Sequence, residues 1–207
     1  MVEANGDTYE GGWMAGKMEG KGRKEWVQGS VYSGEFNRNA PHGRGVAKFS
    51  NGEEYEGEFS MMNQVAVPGG VPHGRGRLVL PWGDVYQGEL RTGRPHGRGK
   101  LMNDTGEWME GAFEDGAASG EMRGARFWPD GTSYQGEMVG WMPHGAGALS
   151  FLGGDSYHGQ FSEGEPCGFG SFESSLGQVL YEGDFVGGQP TPGKATPEAL
   201  AAWPMMR

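Results

Sequence analysis

The chain has 207 residues, 42 of them glycine, and 17 Lys and Arg against 27 Asp and Glu give it a net charge of −10. That charge repels nucleic acid and anionic bilayers at long range; there is no apolar run of about 18 residues to span a membrane, and the N-terminal residues lack the basic segment and apolar run of a secretory leader. The single cysteine, Cys167, excludes an intramolecular disulfide and points to a reducing, cytoplasmic compartment.

One phrase returns along the chain, and such repetition outranks composition in setting the architecture. After an opening Asn5-Gly-Asp7, which reads as a turn, come Tyr9-Glu-Gly-Gly-Trp13, Tyr32-Ser-Gly-Glu-Phe36 and Tyr55-Glu-Gly-Glu-Phe59, at steps of 23 residues. An eight-residue insertion lengthens the next step to 31. Its segment 63–71 has neither a helical nor a strand period, so an exposed loop is expected there. Tyr86-Gln-Gly-Glu-Leu90 follows, then Met109 in the tyrosine position, Tyr134-Gln-Gly-Glu-Met138, Tyr157-His-Gly-Gln-Phe161 and Tyr181. Seven units are well formed, and an eighth trails off after Phe185.

Within a unit, Tyr32, Gly34 and Phe36 alternate with Ser33 and Glu35, which is the period of a strand. Gly45, Ala47 and Phe49 do the same in a second short strand. Ser50-Asn-Gly52, Pro81-Trp-Gly83 and Pro129-Asp-Gly131 supply tight turns between units. Inside the unit, Pro41-His-Gly43 and its equivalents are expected to end a longer loop. Hairpins that are marginal alone gain by stacking, so about fourteen strands at about 4.8 Å spacing would run roughly 65 Å.

The expected fold is all-β: an elongated single-sheet antiparallel meander of stacked β-hairpins over 1–193, then a tail, 194–207. In the tail, Thr196-Pro-Glu-Ala-Leu-Ala-Ala-Trp203 reads as a short helix that covers the last strand edge. No second layer is encoded. Either twist buries the aromatic stripe, or the stripe stays open to a partner.

Chemistry is harder to find than structure. His42, His73, His96 and His144 invite a zinc reading, but equivalent places in adjacent units lie about 9.6 Å apart, while ligand nitrogens sit about 2.1 Å from a zinc ion. Gly11-Gly-Trp-Met-Ala-Gly-Lys17 and Gly188-Gln-Pro-Thr-Pro-Gly-Lys194 imitate a phosphate loop. Met18 and Ala195 stand where Ser or Thr is required, and neither segment joins a strand to a helix. Cys167 fills a histidine slot with no base near it in sequence beyond His158. Glu35, Glu58, Glu89 and Glu137 occupy one repeated site and read as a solvated ladder. No catalytic residue, cofactor or metal is expected. Arg44, Arg75 and Arg98 recur between paired glycines and could meet lipid phosphates, or pair across strands with the acidic row.

These units resemble the MORN (membrane occupation and recognition nexus) repeat family over about residues 6–193. They carry its Tyr-x-Gly-x-Phe/Trp opening, its loop and its Gly-x-Gly. Departures are Met109 for Tyr, Glu121-Met122 for His-Gly in the fifth unit, and Glu19 and Cys167 at the His position of the first and seventh. The resemblance implies a twisted β-meander without a catalytic centre, used as a scaffold on cytoskeletal or ciliary structures or near membranes. The function expected is therefore a non-enzymatic scaffold that docks partner proteins in a cilium or flagellum axoneme. The docking stripe would be Tyr32, Phe36, Tyr55, Phe59 and Tyr86, with Trp13, Trp26 and Trp128 as anchors. The alternative is a peripheral membrane tether binding phosphoinositide headgroups through Arg44, Arg75 and Arg98. A regulatory module on a catalytic subunit is a third reading, and open terminal strands allow a homodimer.

Overall fold

The computed structural model describes residues 2–60, 68–191 and 203. Among these residues sixteen β-strands are hydrogen-bonded in chain order as one antiparallel meander, and no helix occurs. By its contacts the chain divides into two compact units, Met1–Gly106 with Ala112–Ser119, and Glu107–Gly111 with Gly120–Arg207. The first carries β1 (Thr8–Met14), β2 (Lys17–Glu25), β3 (Val31–Asn37), β4 (Ala40–Lys48), β5 (Glu54–Phe59), β6 (Pro72–Val79), β7 (Val85–Arg91) and β8 (Arg94–Met102). Next come β9 (Trp108–Glu114) and β10 (Ala117–Phe127), each with residues in both units. The second unit continues with β11 (Ser133–Val139), β12 (Met142–Ser150), β13 (Ser156–Ser162), β14 (Glu165–Glu173), β15 (Val179–Val186) and β16 (Gln189–Pro190).

The β3–β4 hairpin shows how one sheet buries its own core. Tyr32 lies opposite Ala47, Gly34 opposite Gly45 and Phe36 opposite Pro41, all on one face. Ser33, Glu35, His42, Arg44, Val46 and Lys48 are exposed on the other. The tyrosine ring lies down across the two glycines, so that an added Cβ would meet its hydroxyl at 2.4 Å from Gly34 and 2.5 Å from Gly45. Its hydroxyl donates to the Glu35 carbonyl at 2.9 Å, with the His42 carbonyl also in reach at 3.1 Å. A phenol flat on bare backbone and satisfied at its tip needs no covering layer, and Tyr32 is fully buried.

Phenylalanines then join unit to unit. Phe36 stands edge-on to Tyr32 at 5.2 Å and to the preceding Tyr9 at 5.0 Å. Phe59 does the same with Tyr55 at 5.1 Å and Tyr32 at 4.8 Å. In the second unit Phe161 bridges Tyr157 and Tyr134, and Phe185 bridges Tyr181 and Tyr157. Each such pair contributes about 0.5–1.5 kcal/mol beyond the area it buries.

The turns between units match expectation: in Ser50-Asn-Gly52 the Phe49 N–H bonds the Glu53 carbonyl at 2.8 Å, and Gly52 takes φ +91°. The turn inside each hairpin does not. Pro41-His42-Gly43 lies within β4, and the chain reverses earlier, at Arg38 and Asn39, with φ of 48° and 76°. Gly34 pairs with Gly45 while Glu35 pairs with His42, which leaves Gly43 and Arg44 without partners on β3. Pro-His-Gly-Arg-Gly is thus a bulge motif, not a loop. Sixteen strands form because the trailing eighth unit also pairs, Phe185 opposite Pro190.

In the fifth unit the two extra residues extend β10 to 11 residues. Its Met122 covers Gly111 as tyrosines cover glycines elsewhere. Within the insertion, residues 61–67 lie outside the described residues. Gly69 and Gly70 are buried against Phe49, Pro41 and Phe59, so this end of the segment packs on the aromatic face instead of standing off as a loop. The helix expected over 196–203 also lies outside the described residues, apart from Trp203, which is buried.

Candidate partner-docking face

Self-burial leaves the aromatic face few places to receive anything. Tyr32, Phe36, Tyr55, Phe59 and Tyr86 are each 3 % exposed or less; the first four turn their rings on one another, and Tyr86 turns its ring on Phe113. Burial pushes the phenols of Tyr55, Tyr86, Tyr134 and Tyr157 up to about 12. Trp13 takes the place of Phe36 in the first unit. It packs edge-on against Tyr9 at 5.2 Å, and 45 % of it remains exposed.

Trp13 lines a cleft of ≈ 630 Å³ with Met18, Trp26, Lys24, Asp7 and Glu3. Lys24 stands in the inward slot that later units fill with Ala47, Leu78, Leu149 and Phe172, so its charge is buried and must be matched. Glu3 holds its ammonium at 2.8 Å and Asp7 at 3.5 Å, and the Trp26 ring centroid lies 5.5 Å away. Burial would raise the Asp7 carboxyl, but the Val27 N–H, the Asn5 amide and the Lys24 ammonium outweigh it and hold the carboxyl below its ordinary range.

The second unit repeats the device. Arg126 fills the same slot with its guanidinium carbon 5.3 Å from the Trp128 ring, donates to the Trp141 carbonyl at 3.0 Å, and approaches Glu107 at 3.5 Å. Trp128 is half-buried, whereas Trp26 is only 7 % exposed. Sequence reasoning picked both tryptophans but missed their cations. The signal was a basic residue two positions earlier, in Lys24-Glu-Trp26 and Arg126-Phe-Trp128.

A further ring was missed altogether. Trp203 packs against Phe172 at 4.8 Å, Phe185 at 5.0 Å, Phe151 at 5.6 Å and Tyr157 at 5.7 Å. Its indole N–H donates to the Gly188 carbonyl at 2.9 Å. Together these four rings make a box on the aromatic face of the second unit.

On the outward face Arg44, Arg75 and Arg98 are all exposed. Arg44 lies directly across from Glu58 and Arg75 from Glu89, the latter pair 3.5 Å apart. The repeated glutamates do more than form a ladder: Glu35 accepts the Arg44 N–H at 3.4 Å and Glu137 the Ala146 N–H at 3.1 Å, so they cap the bulges. The Nδ1 atoms of His73 and His96 are buried without a hydrogen-bond partner. Among the described residues no cluster of His, Cys, Asp and Glu could hold a metal, and no helix is long and apolar enough to cross a membrane.

The MORN repeat model matches residues 9–31, 32–54, 69–85, 86–108, 157–175 and 181–191, more than half of the chain. No curated protein matches it. Among solved structures, a mutant of the TCP10 domain of CPAP from Danio rerio is 14% identical, with 89% of this chain and 98% of that one covered at a TM-score of 0.24. The wild-type domain is 12% identical, with 89% and 99% covered at the same TM-score of 0.24. An inactive virginiamycin B lyase from Staphylococcus aureus, solved with quinupristin, is 14% identical, with 93% and 69% covered at 0.20. Superpositions this loose carry no functional argument.

Proposed function

Because the chain belongs to the MORN repeat family, a non-enzymatic family whose repeats mediate protein or membrane-lipid interactions, we propose that it docks partner proteins in a cytoskeletal assembly, a cilium or flagellum axoneme by preference. The observation that carries this reading is Trp13, 45 % exposed and lining a cleft, on a face where Tyr32, Phe36, Tyr55, Phe59, Tyr86 and Trp26 are buried. Large aromatics that keep accessible surface dominate binding energy. Trp13 and Trp128 are therefore the anchors, while Tyr32, Phe36, Tyr55, Phe59, Tyr86 and Trp26 shape the face from beneath. Proximity labelling in ciliated cells tests the proposal. Axonemal neighbours that disappear with Trp13→Ala or Trp128→Ala support it, and an unchanged neighbour set overturns it.

A membrane tether is the second reading, favoured by the exposure of Arg44, Arg75 and Arg98 on one face. Glu58 and Glu89 opposite two of them, and a net charge of −10, work against it. Flotation with phosphoinositide vesicles separates the two readings. Salt-sensitive binding lost on triple Arg→Glu supports lipid, and no flotation removes it.

A further inference from the structure

The outward face of β6, β7 and β8 carries charge against the sign of the chain. Six cationic side chains stand there, Arg75 and Arg77 on β6, Arg91 on β7, and Arg94, Arg98 and Lys100 on β8, against the single carboxylate of Glu89. On β8 the alternation that turns Pro95, Gly99 and Leu101 towards Leu90, Gly88 and Tyr86 leaves Arg94, His96, Arg98 and Lys100 outside, so this strand shows only basic side chains from Arg94 to Lys100.

Part of that charge is matched within the fold. Arg75 approaches Glu89 at 3.5 Å. Asp115, at the turn between β9 and β10, accepts from Arg91 at 2.9 Å and has the His96 Nδ1 4.0 Å away. The hydrogen bond and charge of Arg91, with smaller help from His96 and Arg94, hold the Asp115 carboxyl below its ordinary range. One carboxylate of the chain thus already reaches this surface, and it leaves cations over. Among the described residues neither Arg94 nor Arg98 forms an ion pair, and both are exposed.

We propose that the outward row of β8, Arg94, His96, Arg98 and Lys100, is a docking track for an extended, Asp- and Glu-rich segment of a partner protein. It lies on the opposite face of the sheet from Trp13 and does not depend on that cleft. Charge complementarity selects an anion, and width selects a peptide. Three strands away, at about 14 Å, β5 turns Glu54, Glu56 and Glu58 to the same side. That spacing exceeds the screening length of about 8 Å at physiological salt, so a ligand one strand wide on β8 is shielded from those carboxylates. A bilayer surface spreads across both strands and meets both signs. A single nucleic acid strand is narrow enough, but the outward face of β6, β7 and β8 has no Phe, Tyr or Trp on which bases could stack. An acidic peptide as long as Arg94–Met102 needs only carboxylates, which arginine clusters recognise. The net charge of −10 opposes any anion at long range, and the same screening leaves the contest to the cations directly beneath the ligand. Exposed ion pairs are individually weak, so the binding depends on several at once and is sensitive to salt.

Fluorescence anisotropy with the full chain tests this, using a labelled oligoglutamate peptide as long as β8 and an oligoglutamine peptide of equal length. The expected result is salt-sensitive binding of the first and none of the second. Arg94→Glu with Arg98→Glu should weaken binding at least about tenfold, while Lys21→Glu with Arg44→Glu, an equal change in net charge on the same face, should change it less than about twofold. If circular dichroism shows the Arg94→Glu, Arg98→Glu chain unfolded, Arg94→Gln with Arg98→Gln removes the charge without adding acid and should still weaken binding several-fold. No binding to the native chain at low salt, or an equal loss in both charge-reversed chains, overturns the proposal. So does capture of phosphatidylserine vesicles or single-stranded poly(U) by a chain that ignores the peptide, because the row would then serve a membrane or a nucleic acid. Trp13→Ala should leave peptide binding at its native level, so failure of the aromatic face as a docking site and failure of this track are separate results. Loss of peptide binding on Trp13→Ala would make the two faces one site and overturn the proposal as well.

Discussion

A tyrosine and the two glycines beneath it are the smallest packing element of this protein, and the pair fails if either side changes. An alanine at Gly45 would place its Cβ 2.5 Å from the Tyr32 ring, far inside contact distance. Gly45→Ala is therefore expected to lower stability by about 1–3 kcal/mol in urea denaturation. In a Tyr32→Ala background the added methyl meets no ring, so the same substitution should cost much less. Additive costs in that cycle would refute the ring-on-glycine account. The same burial sets a pH limit. Tyr55, Tyr86, Tyr134 and Tyr157 titrate near 12 in the folded chain against an ordinary value of about 10. The folded state then holds protons that the unfolded state releases, so this stabilisation is whole below pH 10 and is lost as pH rises through 12. Tyrosinate absorbance should appear together with loss of β circular dichroism, and ionisation of all tyrosines near pH 10 in a still-folded chain would contradict it. Alternation in the sequence placed Tyr32, Gly34 and Phe36 on one face. It could not tell that the ring lies flat, because period two fixes the side a residue faces and not its tilt.

Among elements, the hairpin turn is where sequence signals were weakest. Positive φ at two consecutive central residues marks the turn type that suits twisted hairpins, and Asn-Gly or Asp-Gly is its usual signature. Asp115-Gly116 carries that signature with φ of 47° and 97°. Arg38-Asn39 and Thr92-Gly93 do not, which is why Pro-His-Gly drew the eye instead. Thr92 holds φ 53°, a conformation that a β-branched residue adopts at a cost. Thr92→Asn would restore Asn-Gly and should stabilise the chain by about 0.5–1 kcal/mol, read as a shift in urea midpoint. The Thr92 hydroxyl bonds only its neighbour's carbonyl, Arg91, at an exposed site, so its loss removes little. A destabilised Thr92→Asn chain would show that the turn depends on that hydroxyl. The bulge escaped the sequence reading for a related reason. Gly43 and Arg44 keep the period-two pattern with β5, where Arg44 faces Glu58, and break it only against β3.

Where the repeat is regular, stability is a chain of neighbour-to-neighbour terms, because Phe36, Phe59, Phe161 and Phe185 each touch the tyrosine of their own unit and of the one before. Repetition made this meander legible. What breaks the repeat was not legible: Lys24 and Arg126 in slots that usually hold apolar residues, Gly69 and Gly70 laid on the aromatic face, and Trp203 beyond the last period. Period describes what units share, and these features are where they differ. The four-aromatic box could have been found by aligning the units, but its occupant could not, since the tail follows no period. Nearest-neighbour coupling also predicts how far the loss of that occupant is felt. Trp203 touches Phe151, Tyr157, Phe172 and Phe185 only among the rings of the second unit, and Gly188 beside them. In hydrogen exchange followed by mass spectrometry, Trp203→Ala should lower protection across Ser156–Ser162, Glu165–Glu173 and Val179–Val186 while Thr8–Met14 through Arg94–Met102 keep native rates. A fall in protection spread evenly from β1 to β16 would mean that the sheet opens as one cooperative body, and that stability cannot be divided among neighbouring units.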